Sequence, residues 1–380
     1  SGISVVIMGD VDPRRADDWK RPRLRRDQLA MLQYTSGSTG TPRGAMMNHE
    51  FLVRSSAATK LKLSSGPEVV GVSWLPLYHD FGLFGTILQP LYAGFPVTMM
   101  APMAFLQRPM RWLEAISRLG GTATAAPNFA YDLAVDSSQP GERAELDLSA
   151  WRIAMSGAEP VRADTIDRFT QAFAPAGFQR SVFLPAYGLA EAILVSAGAP
   201  GITARIIHVD GDNLAAGRVR GVDRSQPGVR VLVSNGRLMD RVHVAIVDHD
   251  SQVRAPEGRV GEIWVAEDTV VSGYWRRRAD TARILRARLP GDNRSWLRTG
   301  DLGFLADGEL YVTGRIKEML IIRGRNHYPV DLESSVEACH ADIRRGGVAA
   351  VSIGRAMGGE RLAVVAELRR RTQANPAQVL

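Results

Sequence analysis

Lysine is nearly missing from this chain. Only Lys20, Lys60, Lys62 and Lys317 occur among 380 residues, so arginine supplies almost all of the positive charge behind a net +7. The arginines are dispersed, and the densest clusters, Arg276-Arg-Arg278 and Arg369-Arg-Arg371, have no interleaved aromatics. That argues against a nucleic-acid partner and leaves a solvated face, or an acidic protein partner, as the reading of the charge. There is one cysteine, Cys339, which excludes an intrachain disulfide framework and points to a reducing, cytoplasmic compartment. No apolar run approaches the roughly 20 residues needed to span a bilayer, and the chain has no basic-then-apolar start. What remains, at 45% hydrophobic and 23% charged residues, is ordinary for a globular protein with more than one domain.

What is there begins with Tyr34-Thr-Ser-Gly-Ser-Thr-Gly-Thr-Pro-Arg-Gly44. Glycines let consecutive N–H groups converge on an anion, the hydroxyls of Thr35, Ser36, Ser38 and Thr39 add donors, and Arg43 adds fixed charge. No Gly-Lys-Ser/Thr follows at Walker A spacing. Taken alone the segment reads equally as a flexible Ser/Gly linker.

From about Leu29 to Ala197, strand-like apolar runs alternate with amphipathic helices. Ile166, Phe169 and Phe173 share one helical face, and Trp112, Leu113, Ile116 and Leu119 share another. Short strands at Val69 to Trp74 and Arg152 to Met155 lead into loops, the layout of an α/β sheet with ligands at strand ends. After Val242 the pattern turns β-rich: Val242, Val244 and Ile246 alternate, Gly261 to Val265 and Leu310 to Val312 read as strands, and Pro256-Glu-Gly258 and Ala306-Asp-Gly308 read as turns. Met319 to Ile322 reads as a strand and Pro329 to Cys339 as a helix, followed by strands at Val348 to Ile353 and Leu362 to Leu368. Residues 199–235, rich in Gly, Asp and Arg, fit neither pattern and read as an insertion or a surface excursion.

Further motifs occur in order: Trp74-Leu-Pro-Leu-Tyr-His-Asp-Phe-Gly-Leu83, Ser156-Gly-Ala-Glu-Pro160, Tyr187-Gly-Leu-Ala-Glu191, Arg298-Thr-Gly-Asp301, and Gly314-Arg-Ile-Lys317 running on to Gly324-Arg-Asn-His-Tyr-Pro329. Together with the phosphate loop they resemble the adenylate-forming superfamily of acyl-CoA ligases, fatty acyl-AMP ligases and peptide-synthetase adenylation domains. Leu88-Gln-Pro-Leu-Tyr92, Phe105-Leu-Gln-Arg-Pro109, Ala126-Pro-Asn-Phe-Ala-Tyr131 and Gly324 to Pro329 are most similar to the fatty acyl-AMP ligase branch. The resemblance implies an α/β large domain over residues 1–316, comprising an α/β part (29–198), the insertion (199–235) and a β-rich part (236–316). A hinge and the start of a small α+β C-terminal cap occupy 317–380. It implies an N-terminal portion shorter than is usual in the family, and a chain truncated at both ends.

The same resemblance implies ATP and Mg²⁺ as cofactors, a fatty acid as substrate, and an acyl carrier protein or polyketide synthase as partner. Making an acyl-adenylate brings a carboxylate onto the α-phosphate of ATP, so the site must neutralise charge. Thr35, Ser36, Gly37, Ser38, Thr39, Gly40 and Arg43 resemble the part that holds phosphates. Glu191 looks like the Mg²⁺-associated carboxylate, although an acid at a helix start would be favoured there in any case. Tyr187, Gly188 and the backbone of Gly157, Ala158 and Glu159 would lie by the adenine. Asp301 has two oxygens suited to two ribose hydroxyls, and Arg315 looks like the arginine on the nucleotide. His79 and Asp80 sit where the family flanks the carboxylate, or form a plain structural pair. Phe81, Gly82, Leu83, Phe84 and Gly85, with Met99, Met100, Met103 and Phe129, could line an apolar tunnel.

Lys317 falls at the family's hinge, and no lysine occurs after it, so the lysine that normally meets the substrate carboxylate and α-phosphate is absent. Losing one such charge costs on the order of 10²–10³ in rate. This chain alone is therefore expected to be weakly active or inactive. The leading reading is a fatty acyl-AMP ligase. A fatty acyl-CoA ligase, a peptide-synthetase adenylation domain and a catalytically silent nucleotide- or acyl-binding relative stand as alternatives.

Overall fold

The computed structural model describes residues 8–35, 42–266, 270–322, 325–353 and 361–369. Its centre is an eleven-stranded sheet. Five short strands, Val97–Met99, Gly71–Ser73, Ala123–Ala126, Ile153–Ser156 and Phe183–Tyr187, lie side by side and parallel. Beyond Phe183–Tyr187 the sheet turns antiparallel through Ser196–Ala197 and Arg237–Leu238 into Glu309–Arg315, Leu297–Ala306, Gly261–Ala266 and His243–Val247. The α/β and β-rich patterns of the sequence thus share one continuous sheet. The parallel strands end at Ser156 and Tyr187, which delivers the loops after them to one carboxyl edge, the place where open α/β sheets take ligands.

The helices on the parallel part pack through an aromatic core. Trp112, Tyr131, Trp151, Phe169, Phe178 and Phe183 meet edge-on or tilted, with Trp112 and Tyr131 centroids 5.4 Å apart. In the Met110–Leu119 helix, Trp112, Leu113 and Ile116 are buried as the periodicity requires. Leu119 is not: it is 38% exposed in the last turn, before Gly120 closes the helix in the left-handed region (φ 60°). The alternation over Val242 to Ile246 also resolves differently. Ala245 and Val247 are the fully buried residues of the His243–Val247 strand, while Val244 and Ile246 pack half-buried on the other face, because the strand is covered on both sides.

The 199–235 segment carries a strand pair of its own. Ile206–Asp210 and Val229–Val233 pair antiparallel around the short Gly211–Ala215 helix, which the Asp210 side chain caps. Its β-branched residues lie in the strands, and Gly, Asp and Arg gather in the connections. It packs against residues on both sides of Lys317: Val209 and Leu214 form a cluster with Leu302 and Tyr328, joined by Leu232, Met319 and Val330.

The residues after Lys317 form two antiparallel pairs, Leu320–Ile322 with Arg325–His327 and Ile343–Ile353 with Arg361–Leu368, around the Pro329–Cys339 helix. Three ion pairs run between this unit and the rest of the chain. Arg230 meets Asp331 at 2.9 Å from the insertion, while Arg162 meets Glu337 at 2.8 Å and Arg345 meets Asp164 at 2.6 Å at the start of the Ala163–Phe173 helix. Among the described residues, no helix is long and apolar enough to cross a membrane.

Candidate active site

The phosphate-loop residues Ser36, Gly37, Ser38, Thr39 and Gly40 lie outside the described residues. Their flanks are in place. Leu29–Thr35 and Arg43–Asn48 pair antiparallel with Thr35 opposite Arg43, so the segment joins the two arms of a hairpin. The second arm is also bonded on its other side: Met46 N–H donates to Gly273 O at 2.9 Å and Trp275 N–H to Gly44 O at 2.8 Å. This places Tyr274 beside Arg43. The Arg43 guanidinium is buried, stands 5.6 Å from the centroid of the Tyr274 ring, and has its Nε 3.5 Å from Asp280 Oδ2.

Glu191 completes this half of the site. The Tyr274 hydroxyl donates to Glu191 Oε1 at 2.6 Å, and the carboxylate is otherwise buried. Burial pushes the Glu191 carboxyl up, the Tyr274 hydrogen bond opposes this, and the nearby charges of Asp80 (raising) and Arg43 (lowering) place both within electrostatic reach. Glu191 sits in a turn, not at a helix start, so the helix dipole does not account for it. The turn is tightly specified. A Cβ on Gly188 would stand 1.8 Å from Ile193 O, and Ile193 itself is held at φ 41°, which a β-branched residue rarely adopts.

The second half is built on Asp301. The Tyr187 hydroxyl donates to Asp301 Oδ2 at 2.6 Å and Arg315 Nε donates to Oδ1 at 3.0 Å. Asp301 and Arg315 face each other across the hairpin of Leu297–Ala306 and Glu309–Arg315, and Thr299 Oγ1 accepts the Asp301 N–H. Burial raises the Asp301 carboxyl while Arg315 and Tyr187 pull it down. Both oxygens that the sequence reading reserves for ribose hydroxyls therefore already have protein partners. A ribose here would share their remaining lone pairs or displace Tyr187. Tyr187 and Glu191 lie on one short segment, which joins the two halves, and Arg315 precedes Lys317 by two residues. Lys317 is exposed in the turn between Glu309–Arg315 and Leu320–Ile322, and partial burial together with the charges of Arg43 and Arg283 lowers its amine.

Gly157 and Ala158 come directly after the Ile153–Ser156 strand. A Cβ on Gly157 would meet Ala186 O at 3.0 Å, and Ala158 takes a left-handed φ of 68°. Glu159 Oε1 accepts the Asn128 N–H at 2.6 Å, while the Asn128 amide donates to Pro160 O at 2.9 Å and accepts from Arg162 N–H at 3.0 Å. Asn128, buried, is thus the clamp on this loop, and sequence reasoning passed over it although it stands inside the Ala126 to Tyr131 motif. Tyr274 and Asp280 were missed too; the only cue was Gly273-Tyr-Trp275 after a strand.

His79 and Asp80 pair with each other, Nδ1 to Oδ1 at 2.7 Å, where the Asp80–Leu83 helix begins, and Asp80 Oδ1 accepts the Phe81 N–H at 2.7 Å. That hydrogen bond to Asp80 raises the half-exposed His79 imidazole. Phe81 packs on the core beside Gly157. The residues expected to line a tunnel are placed as follows. A Cβ on Gly82 would stand 2.2 Å from Pro76 O, so this glycine serves a close backbone approach and leaves no space for a ligand. Met99 and Met103 are 54% and 61% exposed, and Phe129, edge-on to Trp74, is 41% exposed, so these three side chains are open to solvent. Among the described residues, no three His, Cys, Asp or Glu side chains gather as a metal-binding group. Among the described residues, Glu191 is the buried carboxylate on this side of the site. Its donor chemistry suits a cation that takes its remaining ligands from phosphates and water.

The pattern of the AMP-binding enzymes matches residues 6–275 of this chain. The medium-chain-fatty-acid–[acyl-carrier-protein] ligase JamA of Moorena producens is 41% identical over 98% of this chain and 63% of its own length. The long-chain-fatty-acid–AMP ligase FadD32 of Mycolicibacterium smegmatis is 38% identical over 92% of this chain and 58% of its own. The crystal structure of a fatty acyl-adenylate ligase from L. pneumophila, in complex with acyl adenylate and pyrophosphate, superposes with a TM-score of 0.81 at 39% identity, over 98% of this chain and 65% of that one. This chain spans about three fifths of the length of the curated relatives it matches. With the phosphate-loop arm, Glu191 and the Tyr187–Asp301–Arg315 group in the positions described, the chain belongs to the AMP-binding enzyme family and has the fold of its fatty acyl-adenylate ligases.

Proposed function

We propose that this chain carries most of the nucleotide site of a fatty acyl-AMP ligase, which joins a fatty acid to AMP and passes the acyl group to an acyl carrier protein or polyketide synthase in lipid or polyketide assembly. An oxygen of the fatty carboxylate attacks the α-phosphorus of ATP, the bond to the bridging oxygen of the β-phosphate breaks, and pyrophosphate leaves. The carrier's thiol then attacks the acyl carbonyl and AMP departs. The observation that carries the reading is the joining of two polar groups on one sheet edge: Arg43 with Glu191, and Tyr187 with Asp301 and Arg315.

In this reading residues 35–43 hold the β- and γ-phosphates, with Arg43 opposing their charge. Glu191 is the protein ligand to Mg²⁺, which neutralises charge on the departing pyrophosphate. Asp301 takes the ribose, Tyr187 and the 157–159 backbone border the adenine, and Arg315 faces the nucleotide. His79 and Asp80 border the fatty carboxylate, with Phe81 and Phe129 toward the acyl chain. Residues 1–316 form the large domain, Lys317 the hinge, and 317–380 the beginning of the cap, in a cytoplasmic protein. With no lysine beyond Lys317, turnover by this chain alone is slow or nil.

A fatty acyl-CoA ligase is the second reading, and the apolar cluster that joins Val209 and Leu214 to Tyr328 and Val330 argues against it. An insertion fastened to the cap restrains the cap rotation that chemistry on CoA needs. Incubating the chain with dodecanoate, ATP, Mg²⁺ and hydroxylamine, and assaying dodecanoyl-hydroxamate, tests adenylation. Acyl-CoA formed when CoA replaces hydroxylamine would favour the second reading.

A further inference from the structure

Tyr274 lies in a segment that no motif of the sequence covers, yet it links the two sides of the phosphate half of the site. Its hydroxyl donates to Glu191 Oε1 at 2.6 Å, its ring lies under the Arg43 guanidinium, and its own N–H donates to Thr281 Oγ1 at 2.9 Å. The segment is held as a third strand-like arm by the bridge between Ala45 and Tyr274 and by the bonds at Gly44 and Met46. The ring's position is therefore fixed by backbone pairing, and only the hydroxyl reaches the carboxylate. A buried carboxylate with a single short hydroxyl donor is oriented by that donor, because such charge-assisted bonds are roughly twice as strong as neutral ones. Mg²⁺ tolerates little departure from octahedral geometry, so a misoriented carboxylate binds it poorly.

We propose that Tyr274 is a positioning residue for Glu191, its hydroxyl holding the carboxylate in the orientation in which it meets a magnesium–nucleotide beside Arg43. The inference rests on the nucleotide reading above and adds a residue to it. Its mark is specific: the Tyr274 hydroxyl, which also lies within reach of Arg43, matters to the metal-dependent part of nucleotide binding through Glu191.

The test is calorimetric titration of a non-hydrolysable ATP analogue, with and without Mg²⁺, into the wild-type chain, Tyr274→Phe, Glu191→Gln and the double variant, each checked for folding by thermal melting. Wild-type binding comes first, since no binding by a folded wild-type chain removes the nucleotide reading and this inference together. Given wild-type binding, Tyr274→Phe is expected to weaken affinity about tenfold with Mg²⁺, the scale of one hydrogen bond to a charged group. Without Mg²⁺ it should leave affinity nearly unchanged, and in the Glu191→Gln background it should have no further effect. Equal loss with and without Mg²⁺, no loss at all, or the same loss in the Glu191→Gln background would overturn the assignment. Should Tyr274→Phe not fold, Glu191→Asp draws the carboxylate back from an intact Tyr274. The same Mg²⁺-specific weakening is then expected, and its absence overturns the proposal.

Discussion

Replacing Asp331 by asparagine should tighten the Pro329–Cys339 helix against the Val229–Val233 strand at neutral pH, although it breaks an ion pair. Asp331 lies in the first turn of the Pro329–Cys339 helix with Arg230 at 2.9 Å and only 23% of its side chain exposed. Burial pushes its carboxyl from 3.8 up to about 6, more than Arg230 pulls it down. Desolvation therefore outweighs the Coulombic gain, as it does in many buried pairs. At ~1.36 kcal/mol for each tenfold change in proton affinity, the ionised form at pH 7 carries a cost of roughly 3 kcal/mol, an upper figure. The sign comes from the raised value. Stability from this group is fully present below pH 3.8, the unperturbed value, and is lost as pH rises through about 6. Hydrogen exchange of residues 329–339 across pH 5 to 8, in wild type and Asp331→Asn, isolates the effect from other titrating groups. Wild-type protection should fall as pH rises through about 6, and the variant should lack that step and be better protected at pH 7. A variant less protected at pH 7 by more than about 1 kcal/mol would show that the ion pair dominates and would refute the reasoning.

Arg162→Ala leaves the Glu337 carboxylate, 4% exposed, with only the Gly346 N–H as partner, and should cost about 3 kcal/mol in the packing of the Pro329–Cys339 helix on the Ala163–Phe173 helix. Limited proteolysis near residues 317–325 reports it, and cleavage unchanged from wild type would show that the pair does not hold the cap. Gly188→Ala drives a Cβ to 1.8 Å from Ile193 O, so it should lower the melting temperature and abolish nucleotide-analogue binding; a variant that melts and binds as wild type would mean the turn has slack. Asn128→Ala frees Glu159, Pro160 and Arg162 together and should weaken binding of an AMP analogue about tenfold by calorimetry, with little change in melting if the loop alone is affected. Unchanged affinity would separate this loop from the nucleotide.

Periodicity and motif order made most of the fold legible. The Pro329–Cys339 helix, the Glu309–Arg315 strand and the Ala306–Gly308 turn stand where the pattern places them, because each is a local matter of apolar spacing and turn chemistry. The strands of residues 199–235 were not legible, because the Gly, Asp and Arg content describes the connections, while two five-residue strands carry the pairing. Leu119 and Val244 show the other limit: periodicity finds a face but not how far the neighbouring layer covers it. In the site, the residues inside motifs were legible as a set. Their pairing was not, since Tyr187 and Asp301 are 114 positions apart and Tyr274 and Glu191 are 83 apart. Gly82 shows how a glycine that suggests ligand space can equally mark where another backbone already runs.

The central claim is that Arg43, Glu191, Tyr187, Asp301 and Arg315 form a working acyl-adenylate site. Calorimetric titration with a non-hydrolysable dodecanoyl-adenylate analogue, against an AMP analogue lacking the tail, tests it most directly. The account predicts tight binding that depends on the tail in the wild-type chain and is lost in Asp301→Ala. No binding by a folded wild-type chain, or equal binding by Asp301→Ala, would contradict it.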